Sequence, residues 1–150
     1  MRTINLREVR PVYRDKKVSL TMKEKLSKRI KTPRDAWLLF RDLQDEAKEN
    51  VVALHLDSKN QILVFEVVSV GTINMSLLEP REVFGTSMMV RAVGVLLLHN
   101  HPSGDCAPSP EDKVVTANLK HAADILRVKL LDHIIVGRNS YFSFNEEGLL

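Results

Sequence analysis

The feature that most constrains the fold is a short apolar run, Val93-Gly94-Val95-Leu96-Leu97-Leu98, which passes without a break into His99-Asn100-His101. The run shows no polar alternation, so it reads as a strand buried on both faces. A strand of that kind needs apolar layers above and below it. The flanking sequence supplies them as helices, which points to a layered sheet covered by helices.

Thr32-Pro33-Arg34-Asp35 is a helix start, with Thr32 as N-cap, Pro33 in the first turn and Asp35 returning the capping bond. Ala36, Leu39, Phe40, Leu43 and Ala47 then recur at helical spacing, predicting a helix to about residue 48. "VVALHL", the turn "DSKN" and "QILVFEVVSV" predict a hairpin, and "GTINMSLL" a short third strand. Pro80 opens a second helix, "PREVFGTSMMVRA". Its interior Gly85 costs about 1 kcal/mol relative to Ala and hints at close packing. A third helix runs from Pro110 to about Arg127, with Val115, Leu119, Ala122 and Leu126 on one face. "LLDHIIVG" and "YFSF" follow as strands around the turn "RNS". The expected fold class is α/β, a mixed sheet flanked by helices in one domain.

With 150 residues, such a domain can bury its core without disulfides or a structural metal. The lone Cys106 excludes an intrachain disulfide framework. The opening "MRTINLREVR" lacks the apolar core of a signal peptide, and "VGVLLL" is too short to cross a bilayer, so a cytoplasmic protein without membrane contact is expected. The net charge of +3 is unevenly placed: residues 1 to 33 carry 11 Lys/Arg against 3 Asp/Glu. Residues 1 to 32 therefore read as a basic arm ahead of a domain spanning 33 to 150. Weak, non-specific binding of nucleic acid is expected to reside in residues 1 to 33. Tyr13 is the arm's only aromatic, which leaves no stacking platform for single strands.

In a strand, residues i and i+2 share a face, so His99 and His101 can converge while Asn100 points away. A catalytic zinc site takes three protein ligands and keeps one open position. The missing third ligand can be Asp112, since Ser109-Pro110-Glu111-Asp112 starts a helix and residues 102 to 108 can fold back on the strand end. The same cap pattern at Thr32-Asp35 has no histidine nearby, so Ser109 and Asp112 taken alone read as an N-cap and its partner. The pattern H-x-H-x7-S-x2-D as a whole points to metal.

These residues carry a resemblance. "HNHPSGD" with "PSPED" resembles the JAB/MPN (JAMM) metalloprotease superfamily, and "GTINMSLLEPREVF", "LLLHNHPSG", "LLDHIIVG" and "SFNEEGLL" are similar to its RadC branch. The resemblance implies the JAB/MPN fold, related to the cytidine deaminase type, with Zn²⁺ held by His99, His101 and Asp112. It also implies an oxyanion-stabilising serine at Ser109 and a catalytic glutamate before the first strand, where Glu49 stands. Glu49 begins its strand and the histidines end theirs, so an antiparallel pairing would bring them to one sheet edge; Glu46 is the nearest rival. The implied activity is zinc-dependent hydrolysis of a peptide or isopeptide bond in a peptide or protein substrate. The alternatives are a DNA-associated or DNA-repair protein, and a non-catalytic binding module on the same fold.

Some residues depart from the pattern or stand outside it. Glu79 replaces a histidine often found just before "PRE", and the basic arm stands where fuller members carry a helix-hairpin-helix-like region. The string "HNH" is not the nuclease motif of that name, and deaminase ligands of the H-x-E and P-C-x-x-C type are absent. Cys106 reads as neither ligand nor redox site. His55, His121 and His133 read as structural or surface residues, with Asp132 or His133 available to support a ligand from behind.

Overall fold

The structure is a computed structural model in which Val12, residues 29–71 and residues 78–150 are described. The apolar run forms β3 (Gly94–Asn100), and every one of its residues is buried. On one side it pairs antiparallel with β1 (Glu49–Leu56), and on the other it runs parallel to β4 (Lys129–Gly137). The outer strands β2 (Ile62–Gly71) and β5 (Ser140–Ser143) complete a five-stranded mixed sheet of order β2-β1-β3-β4-β5.

Alternation along β1 and β3 divides the core in two. Val51, Ala53, Val95 and Leu97 face α2 (Pro80–Met89) and α3 (Pro110–Leu126), packing on Val83, Phe84, Val115 and Leu119. Val52, Leu54, Leu96 and Leu98 face the other way, onto Ala36 and Trp37 of α1 (Pro33–Leu39). The expected α/β fold, a mixed sheet with flanking helices, is therefore the fold observed. Among the described residues no helix is long and apolar enough to cross a membrane.

The helix expected to run to residue 48 stops at Leu39, and Arg41–Asp45 is a 3₁₀ turn. Tertiary contacts override the periodicity: Arg41 Nη2 donates to Asn139 Oδ1 at 2.6 Å, and Asn139 N–H donates to Gln44 Oε1 at 2.9 Å. The tighter turn thus clasps the β4–β5 connection and frees Glu49 to open β1. The second helix ends at Met89 rather than Ala92, because Arg91 takes a positive φ and Ala92 N–H bonds back to Ser87 O. The close packing expected at Gly85 is absent, since a Cβ there would meet nothing within 4 Å. The short strand expected in "GTINMSLL" lies, apart from its two ends, outside the described residues, as does nearly all of the basic arm. Arg29 bridges to Gln61, and Ile30 is buried against the α1 side of the sheet.

His55 is structural, as read from the sequence. It is wholly buried in β1, with Nδ1 2.8 Å from Ser87 Oγ and Nε2 3.3 Å from Glu66 Oε1. Burial holds its pKa below the ordinary imidazole value, against the upward pull of Glu66. Unfolded chains take up that proton near pH 6.5, so the neutral ring contributes stability above about pH 6.5 that is lost as the pH falls toward the lowered folded value. Urea unfolding of metal-free protein from about pH 7.5 to 5 should therefore show a steeper acid loss in the wild type than in His55→Gln, by up to about 1.4 kcal/mol per pH unit. Other titrating groups are common to both proteins and cancel. Equal slopes would mean that folding leaves the proton affinity of His55 unchanged, and a shallower acid loss in the wild type would mean that Glu66 keeps the ring protonated.

Candidate metal centre

Antiparallel pairing aligns Val51 with His99, which sets the first residue of β1 beside the last residues of β3. Glu49, His99 and His101 thus meet on the α3 side of one sheet end. The loop from Pro102 to Pro108 then turns the chain back. Gly104 N–H bonds to His101 O at 2.8 Å, and Arg138 N–H to Gly104 O at 2.8 Å, tying the loop to the end of β4. Gly137 is required at that contact, because a Cβ there would lie 2.7 Å from Gly104 O and 2.9 Å from Cys106 Cβ.

The loop delivers Ser109 and Asp112 as a capping box at the start of α3. Ser109 Oγ accepts from Asp112 N–H at 3.0 Å, and Asp112 Oδ2 accepts from Ser109 N–H at 2.8 Å. The same carboxylate reaches the histidines: Oδ1 lies 3.3 Å from His99 Nε2 and Oδ2 3.2 Å from His101 Nε2. The capping box and a place beside both histidines are therefore compatible, and the cap keeps the carboxylate still. His99 Nε2 and His101 Nε2 are 3.0 Å apart, and Glu49 Oε1 is 3.6 Å from His99 Nε2.

Together Glu49, His99, His101 and Asp112 offer ligand atoms within 4.8 Å of one another, a group that could hold a metal ion. The donor chemistry fits one. His101 Nδ1 faces the Asp105 carbonyl at 2.8 Å and must donate to it, so in the neutral ring Nε2 is a bare lone pair aimed into the group. Nitrogen and carboxylate atoms 3.0 to 3.3 Å apart need positive charge among them. Ligands placed tetrahedrally at about 2.0 to 2.1 Å from one ion would themselves stand about 3.3 Å apart. His99 and Asp112 form a buried floor, with 0% and 1% exposure, while Glu49 and His101, each 18% exposed, stand at the open side.

Electrostatics divides the two carboxylates. Burial alone would raise Asp112, but the two histidines beside it, His101 first, overcome that and hold the carboxyl well below its usual range. Glu49 moves the other way: burial raises it, and the two histidines only partly offset that rise. His101 is raised, chiefly by its bond to Asp112.

All five residues singled out in the sequence lie at this end of the sheet, with Ser109 reaching the group through Asp112. Glu46, the rival of Glu49, is exposed and outside the group. Cys106 is half-buried in the loop and does not join it, and His121 is exposed on α3. His133 is wholly buried behind His99, its Nε2 2.8 Å from His99 Nδ1. Burial pushes its pKa well below the ordinary value. Asp132 does not touch the group; it accepts from Ser143 Oγ and Asn145 N–H and so holds β4 to the C-terminal turn.

Sequence reasoning passed over two residues. Asn100, between the histidines, accepts from Asn50 N–H at 2.7 Å and donates to Lys48 O at 3.0 Å, gripping the backbone on both sides of Glu49. Thr116, one turn along α3 from Asp112, meets His133. Strand alternation sends Asn100 to the α1 face, so only the antiparallel neighbour reveals its target. Thr116 is one of the inward positions of α3, where its i+4 spacing from Asp112 was the available signal.

Known proteins share this arrangement of sequence. The family pattern described as "RadC-like JAB domain" matches residues 30–149. A UPF0758 protein of Pelodictyon phaeoclathratiforme is 48% identical over 126 residues, covering 83% of this chain and 57% of the relative. A UPF0758 protein of Methanosarcina mazei is 42% identical over 131 residues, covering 87% of this chain and 57% of the relative. One from Chlorobaculum tepidum is 46% identical over 123 residues, 81% of this chain and 55% of its own. The chain thus spans a little over half the length of these relatives.

Proposed function

This chain belongs to the RadC-like JAB domain family, and on that premise we propose that it is a zinc-dependent hydrolase cleaving a peptide or isopeptide bond. The observation that carries the reading is the geometry of one pocket: Asp112 lies on the buried floor, 3.3 and 3.2 Å from the two histidines, while Glu49 stands at the open side, 3.6 Å from His99. A ligand must be held still against its neighbours, and a base must stand where water can reach it.

In this reading His99, His101 and Asp112 hold the ion. Zinc there would supply a Lewis acid and bring the pKa of water down to about 7. Glu49 accepts the proton of the attacking water and returns it to the leaving amine, so that the C–N bond breaks to a carboxylate and an amine. Ser109 Oγ already accepts from Asp112 N–H, which leaves its hydroxyl hydrogen to donate to the developing oxyanion. Asn100 keeps Glu49 in place through the backbone. The charge of residues 1 to 33 supports a separate proposal, a weak and salt-sensitive attachment to nucleic acid alongside the hydrolase.

The test joins metal analysis to a substrate screen. Purified protein should hold about one zinc per chain. It should cleave members of a peptide and isopeptide-linked library, lose that activity to a chelator and regain it with zinc. Zinc-loaded protein that cleaves nothing across such a library would favour the binding module. Protein that takes up no zinc would remove the hydrolase reading.

A further inference from the structure

Behind His99 lies a closed ring of contacts that the hydrolytic reading does not use. It runs from Asp112 Oδ1 to His99 Nε2 at 3.3 Å, from His99 Nδ1 to His133 Nε2 at 2.8 Å, and from His133 Nδ1 to Thr116 Oγ1 at 2.6 Å. Thr116 Oγ1 then returns to the Asp112 backbone carbonyl at 2.6 Å. The ring begins and ends on the same residue.

We infer that Thr116, acting through His133, fixes which nitrogen of His99 is free to bind a metal, making both residues positioning residues for the centre. The direction follows from counting hydrogens. Thr116 has a single hydroxyl hydrogen, and the Asp112 carbonyl can only accept, so that hydrogen goes to the carbonyl. Thr116 Oγ1 is then left to accept from His133 Nδ1–H. A neutral imidazole carries one hydrogen, and a second on the wholly buried His133, stacked on Phe144, would place a charge out of reach of water. His133 Nε2 is therefore bare and accepts from His99 Nδ1–H. That leaves the lone pair of His99 on Nε2, the atom facing His101 and Asp112. His133 is also stacked on Phe144, at 5.0 Å between centroids and 9° between planes, which holds its ring in the plane the relay needs.

Ligand histidines usually take this support from a carboxylate or a carbonyl, either of which can only accept. Here the support is a second imidazole, which could face either way. Only the hydroxyl at its far end breaks the tie. Thr116→Val keeps the shape and removes the oxygen. His133 would then be free to carry its hydrogen on Nε2 and donate to His99 Nδ1, turning the hydrogen of His99 onto Nε2, where it blocks the metal.

The inference rests on reading this pocket as a metal centre, but its test needs no substrate. Metal-free wild type, Thr116→Val and Thr116→Ser would be compared by long-range ¹H–¹⁵N correlation of the imidazole rings, above the pH range in which histidines titrate. Zinc affinity would be measured by chelator competition, with thermal unfolding to confirm the fold. The wild type and Thr116→Ser should show His99 and His133 both protonated on Nδ1. Thr116→Val should lose that pattern and bind zinc about 10- to 100-fold more weakly, the usual effect of losing an outer partner. His99 protonated on Nε2 in the wild type would overturn the inference, as would wild-type zinc affinity in Thr116→Val, or equal losses in Val and Ser variants. A protein with the expected tautomers and no affinity for zinc would leave the relay standing and remove the hydrolase.

Discussion

Zinc content is expected to fall from about one ion per chain to nearly none in His99→Ala, His101→Ala and Asp112→Ala alike. Each substitution removes one corner of a three-cornered set whose atoms stand 3.0 to 3.3 Å apart. The loss should exceed the 10- to 100-fold typical of outer partners by a wide margin, because a direct bond to the ion is removed. Asp112→Ala has a second consequence, since its carboxylate also closes the capping box with Ser109. That variant should lose about 1 kcal/mol of stability beyond the loss of metal. Ser109→Ala is the control: it should lose a similar amount of stability and keep zinc. The fold should survive in all of them, because neither apolar layer is built from the three substituted residues. Zinc measured by mass spectrometry and unfolding by circular dichroism decide the matter; full occupancy in the three ligand variants would place the ion elsewhere.

The second large effect is expected at Glu49. Glu49→Gln should retain zinc while its hydrolytic rate falls about 10² to 10⁴-fold, the contribution of a positioned acid or base. Glutamine is nearly isosteric with glutamate but cannot take the proton. Asn100 grips the backbone on either side of position 49, so the side chain should stay in place. The measurement sets zinc content beside turnover of a substrate found in the screen. Retained turnover would remove Glu49 from the mechanism. Lost zinc would make it a fourth ligand instead of a base.

Much of the site was legible because its signals are local. His-x-His reads directly as two side chains on one face of a strand, and Ser-Pro-Glu-Asp reads as a helix start whatever surrounds it. Glu49 was different: 50 residues separate it from His99, and only the antiparallel register of β1 on β3 brings them together. The overlong first helix failed for a related reason. Its apolar spacing was genuine, yet Arg41 and Gln44 found partners at Asn139, and those long-range bonds set the local geometry.

The sequence by itself determined the central strand, the layers that must cover it, and the His-x-His pair and helix start that follow it, because each depends on spacing within one local stretch and the periods of strand and helix are set by backbone stereochemistry. Only the tertiary structure decided which strand neighbours which, and with it the partners of the histidines. Asn100 looked idle until the start of β1 was seen beside it, and the support expected from Asp132 or His133 had no direction until α3 placed Thr116 at the far nitrogen of His133. A hydrogen bond needs two groups about 3 Å apart in space, and separation along the chain carries no such distance.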